Sequence, residues 1–169
     1  MSPDLERLIQ LQRLDTAIDD ARRRVAAHPQ RVEDADRRLA EAQAAVDHAK
    51  QQLKTSQEAR RELEKEAAVF QTRLTKYKDQ LSAVKTNREY QAMQVEIETA
   101  QRELAAAEEK VIERMVEADG LTAEIKAAEK TFAARQKDIE AEKTALNDEL
   151  AAAEATLREK LASRAAVVA

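Results

Sequence analysis

Apolar residues recur at alternating spacings of three and four along almost the whole of this chain, and no other feature constrains its fold so tightly. The series opens with Leu11, Leu14, Ile18, Ala21 and Val25 and resumes in the same phase beyond His28 and Pro29 with Val32, Ala35, Leu39, Ala42, Val46, Ala49 and Leu53. It continues through Leu63, Ala67, Phe70, Leu74, Tyr77, Leu81 and Val84. A mean spacing of about 3.5 residues, just short of the helical repeat, keeps one stripe turned toward a partner helix and winds the two into a left-handed supercoil.

A second stripe starts at Tyr90 and runs through Met93, Ile97, Ala100, Leu104, Ala107, Val111, Ala118, Leu121, Ile125, Ala128, Phe132 and Ile139. After Glu142 its phase slips to Leu146, Leu150, Ala153, Leu157 and Leu161, the kind of discontinuity that changes supercoil winding locally. Between the stripes, Thr86-Asn87-Arg88-Glu89 has the spacing of a capping box: the Thr86 hydroxyl can accept the Glu89 amide hydrogen while the Glu89 carboxylate reaches back. Asn87 is the alternative cap, and an asparagine also tolerates the left-handed conformation that a short helix connection can require.

The expected fold is therefore all-α, a long antiparallel coiled-coil helical hairpin over residues 1–169, with arm one at 3–84, the tip at 85–88 and arm two at 88–166. Ser2-Pro3-Asp4 reads as the start of the first helix. Pro29 lacks an amide hydrogen and crowds the preceding turn, so the first arm is expected to kink near 28–30, a hinge or a tolerated bend. Folding at Thr86 and Asn87 sets this proline opposite the phase slip. The same fold sets Ala42 against Phe132, Val46 against Ala128, Ala49 against Ile125 and Leu74 against Ala100, large facing small. One layer breaks the pattern: Arg60 and Arg114 both fall on seam positions, where they repel unless Glu64, Glu113 or Glu117 neutralises them. Gly120, the only glycine, is unfavourable in a helix interior and reads as a flexible point or a tolerated residue.

Composition agrees with a thin seam rather than a ball. Of the 169 residues 37% are charged and 2% aromatic, with one Gly and two Pro, too few turn-formers for a compact domain. A net charge of -4 spread over 29 basic and 33 acidic residues gives no global field selecting nucleic acid or membrane. No cysteine is present, and the N-terminus has neither the basic start nor the apolar run of a signal peptide. With no apolar run long enough for a membrane span, a cytoplasmic protein is expected, with no membrane partner. His28 and His48 are too far apart on one helix to share a metal, and acidic pairs such as Asp19-Asp20 and Glu108-Glu109 are those of solvated helix faces. A two-helix seam has no pocket where polar groups converge, so no catalytic or metal-binding residues are assigned and no enzyme is expected.

Lys76, Lys78, Lys85 and Arg88 make the tip basic on an acidic chain, and they are the candidate partner-binding residues. Tyr77 and Tyr90 lie nearby, both on seam positions, where a tyrosine is more often core than a base-stacking platform, so the aromatic component of single-strand recognition is weak. Off-seam Leu5, Ile9, Val69, Val95 and Ile112 could support a dimer; a monomer is the simplest reading, because the hairpin consumes the regular stripe.

The run Lys76-Tyr77-Lys78, Gln80-Leu81, Val84-Lys85-Thr86-Asn87, Glu89-Tyr90-Gln91-Ala92 and Glu96-Ile97-Glu98 resembles the signature of a bacterial family that joins a coiled-coil helical hairpin to a C-terminal C4-type zinc ribbon and includes a flagellar regulator. The resemblance implies a non-enzymatic adaptor that binds the alternative RNA polymerase sigma factor sigma-54 through its hairpin, with nucleic-acid binding assigned to the ribbon. This sequence stops at Ala169 without a CxxC pair. No cofactor is expected in the chain itself, and zinc only if a ribbon follows. The apolar ending Ala165-Ala166-Val167-Val168-Ala169 reads as a cut at a domain boundary. Three functions stay open: a protein-interaction module whose tip or arm meets the transcription machinery, a basic tip that grips RNA, and a passive spacer for an absent ribbon.

Overall fold

The computed structural model describes residues 3–168 and contains two helices, α1 (Pro3–Leu81) and α2 (Asn87–Val168). They pack closely as an antiparallel hairpin, and each contributes one segment to each of two compact units, Met1–Ala44 with Lys130–Ala169 and Ala45–Glu129. Helices of this length built from Ala, Glu, Lys, Arg and Gln have good intrinsic propensity, but in water their stability comes chiefly from the face they bury. Asp4 and Glu6 occupy the first turn of α1, where negative charge meets the positive end of the helix dipole. Ser2, the expected cap of this helix, lies outside the described residues. α1 ends at Leu81, three residues short of the expected arm, and α2 begins at Asn87, within the expected tip.

In the unit formed by the chain's two outer segments, Ile18, Ala21, Ala35 and Ala42 of α1 are buried together with Ile139, Leu146 and Ala153 of α2. Cross-helix contacts record the antiparallel register. Asp15 pairs with Arg164, Arg31 with Glu149, Asp36 with Lys143 and Arg38 with Glu142, so partners on α2 descend as positions on α1 rise. All these side chains are at least partly in water, and each such pair contributes about 0–1 kcal/mol. The buried stripe therefore holds the helices together, and the ion pairs trim their register. The stripe's second row changes phase where Glu142 and Lys143 are both half-buried, before Leu146, Leu150, Ala153 and Leu157 take over. Leu161 departs from the expected series: it is 40% exposed, and the neighbouring Lys160 is the half-buried residue.

Pro29 does not interrupt α1, which is helical on both sides of it. The half-buried His28 points its Nε2 at Asn147 Oδ1, 3.1 Å away on α2. α1 therefore runs through 28–30 without a break.

In the Ala45–Glu129 unit the buried residues include Val46, Ala49, Ser56 and Leu74 on α1 with Ala100, Ala107 and Ile125 on α2. Register is again marked by cross-helix pairs, Lys50 with Glu129 at 2.7 Å and Arg73 with Glu103 at 3.0 Å. Ser56, 5% exposed, donates its hydroxyl hydrogen to Glu117 across the seam at 2.8 Å. The two seam arginines are neutralised along their own helices: Arg114 reaches Glu117 at 2.7 Å and Arg60 reaches Glu64 at 3.1 Å. The Arg60 Nε is buried and makes no aligned hydrogen bond, so its contact with Glu64 is one of charge alone.

Candidate partner-binding tip

Three hydrogen bonds close the end of α1. The Ser82 hydroxyl donates to the Asp79 carbonyl at 2.6 Å, the Ala83 amide to Gln80 at 3.0 Å and the Val84 amide to Leu81 at 3.4 Å, so three of the last carbonyls of the helix are satisfied. Five residues, 82–86, separate the two helices. Thr86 caps α2: its hydroxyl accepts the Glu89 amide hydrogen at 3.3 Å and donates to the Glu89 carboxylate at 2.9 Å, and that carboxylate also accepts the Thr86 amide hydrogen at 3.3 Å. The Thr86 carbonyl then accepts the Tyr90 amide hydrogen at 3.0 Å, the first turn of the new helix. Asn87 is the first helical residue rather than the cap. Among the described residues none has a positive φ, so the reversal needs neither glycine nor a left-handed asparagine.

This cap fixes what the tip displays. Every residue from Lys85 to Ala92 is exposed, as are Lys76 and Lys78 on the last turns of α1. Among the described residues no carboxylate lies within ion-pair distance of Lys76, Lys78, Lys85 or Arg88, whereas Arg73 is engaged both by Glu103 and by the Phe70 ring, 5.5 Å from its centroid. Tyr77 is half-buried in the seam. Tyr90 is not: it is 43% exposed, and its hydroxyl accepts a hydrogen bond from Gln94 at 3.1 Å. The expectation that both tyrosines are seam residues is corrected for Tyr90. Its heptad position is nominally right, but it sits in the first turn of α2, and the half-buried row on that helix begins at Met93.

Pro29, Arg60 and Arg114 lie outside the tip. The first belongs to the unit built from the outer segments, and the other two sit on the polar layer around Ser56 and Glu117. Ser56 was the residue of that layer not singled out from the sequence, although its spacing of three from Leu53 and four from Arg60 places it on the seam. Charge there is shared tightly. The hydrogen bond from Arg114, followed by that from Ser56, holds the Glu117 carboxyl below the usual carboxylate range. The Glu117 hydrogen bond in turn raises the Arg114 guanidinium.

The zinc ribbon that accompanies the resemblance has no counterpart here. The chain has no cysteine, and among the described residues no group of three or more His, Cys, Asp or Glu is placed to hold a metal ion. A zinc-ribbon description therefore does not apply to the residues present. Among the described residues no helix is long and apolar enough to cross a membrane. Comparison with family models, with curated proteins and with solved structures finds no match.

Proposed function

We propose that the chain is a non-enzymatic protein-interaction module that presents its capped, basic tip to an acidic face of a protein partner. The observation that carries this reading is the set of four exposed cations, Lys76, Lys78, Lys85 and Arg88, left without carboxylate partners among the described residues, where the chain reverses between α1 and α2. Unpaired charge held on a well-capped turn is pre-organised for recognition and costs little further ordering on contact. The resemblance of residues 76–98 to the hairpin-bearing family nominates sigma-54 as the first partner to try. Purified sigma-54 is expected to bind the chain and to lose at least about tenfold in affinity when Lys85→Glu and Arg88→Glu are combined, mainly through a slower association rate at low salt. Binding that ignores both substitutions would sink the tip as the contact.

A second reading is favoured by the exposure of Tyr90 two residues from Arg88, which gives the tip an aromatic face beside its cations. Single-stranded RNA gripped this way would bind with a steep salt dependence and weaken on Tyr90→Ala. Flat salt dependence, or indifference to Tyr90, excludes it.

We also read Pro29 as a bend in α1, since it removes a hydrogen-bond donor in the helix interior and its ring crowds the turn before it.

A further inference from the structure

The outer face of α2 in the Ala45–Glu129 unit is apolar where a solvated helix has no reason to be. Ala105, Ile112, Val116, Gly120 and Ala123 follow one another at spacings of seven, four, four and three, which puts them on one line of the helix. All five are exposed, with Ile112 at 60% and Val116 at 67%, while Ala107, Val111, Ala118 and Leu121 of the same stretch face the seam. Neither helix propensity nor seam packing accounts for the stripe. Isoleucine, valine and glycine are among the poorer helix formers, and exposed positions are free to take better ones. A Cβ added at Gly120 would meet nothing within 4 Å, so no internal contact asks for glycine there.

The rim of the stripe is acidic. Glu108, Glu109, Glu113 and Asp119 flank it, and among the described residues none has a cation within ion-pair distance, Glu113 acting on the neighbouring Arg114 through its charge alone. A second copy of this chain laid on the same face would bring carboxylate against carboxylate. We propose that this face docks an amphipathic helix of another protein, one with branched aliphatic side chains along its contact line and lysine or arginine on both flanks. Ile112 and Val116 supply the apolar contact, Gly120 lets the incoming backbone approach closely, and the acidic rim selects a basic partner over a neutral one.

The test uses the whole chain and three labelled synthetic helices: a leucine-striped one flanked by lysine, a scramble of the same composition, and a leucine-striped one flanked by glutamate. Fluorescence anisotropy is expected to show the first binding at least about tenfold more tightly than either control, a preference erased by Ile112→Asp with Val116→Asp and weakened by Gly120→Leu. Ile112→Ala with Val116→Ala serves as a second variant that cannot fail for want of folding, because alanine is the better helix former, and it too is expected to lose the preference. Lys85→Glu with Arg88→Glu should leave this binding intact, so failure here and failure of the tip are told apart. Equal binding of the scramble, or indifference to both paired substitutions, overturns the proposal. So does a doubling of sedimentation mass by the chain alone that Ile112→Asp with Val116→Asp abolishes, since a second copy would then own the face.

Discussion

Glu117 joins two side chains of the seam's polar layer: it accepts the Ser56 hydroxyl hydrogen and pairs with Arg114, while Arg60 is left to Glu64. Because its proton is held less firmly in the folded state than in the unfolded chain, Glu117 stabilises the fold above the usual carboxylate range, and that contribution disappears as pH falls through its lowered folded value. Glu117→Gln is therefore expected to lower Tm near neutral pH and to converge with the wild type in acid below that range. A Tm difference that stays constant across the titration would remove the ion pair from the account. Gly120 gives the opposite kind of prediction. With open space at its Cβ and no positive φ, Gly120→Ala should stabilise the chain by about 1 kcal/mol in urea denaturation, and a loss of stability would contradict the open environment described.

At the scale of the helix, the buried stripe was legible because a spacing of three and four is a direct record of which side faces a partner. Ile18, Val46, Leu74, Ala107 and Ile139 all sit where that spacing puts them. The Thr-x-x-Glu spacing at 86–89 likewise spells out the cap, since both side chains then reach each other's backbone. What the spacing could not deliver were the ends of the stripe. Tyr90 and Leu161 keep the periodicity but lie 43% and 40% exposed, because burial also needs a facing residue and periodicity is silent about where facing residues run out. Ser56 was hidden for the reverse reason, a polar side chain in an apolar row. Two substitutions test the stripe. Leu146→Ala, at a residue 2% exposed, should cost about 2–5 kcal/mol, whereas Leu161→Ala should cost well under half of that; equal costs would mean the two leucines are equally packed. Pro29→Ala restores a donor within a continuous helix and is expected to stabilise α1 by up to about 3 kcal/mol. Destabilisation would instead show that the surrounding packing depends on the proline.

For the molecule as a whole, function was less legible than fold. A seam leaves a repeating trace in the sequence, while the two proposed surfaces are marked only by single exposed residues, Ile112 and Val116 on one and the cations Lys76, Lys78, Lys85 and Arg88 on the other. Both surfaces depend on α1 and α2 of one molecule pairing with each other, and the absence of cysteine makes that testable without background. Lys50→Cys and Glu129→Cys, at residues whose side chains form a 2.7 Å ion pair across the hairpin, would carry two spin labels on exposed positions. Strong dipolar broadening that survives dilution with unlabelled chain is the predicted result. Broadening that vanishes on dilution, or never appears, would mean that the two helices of a single chain do not pair.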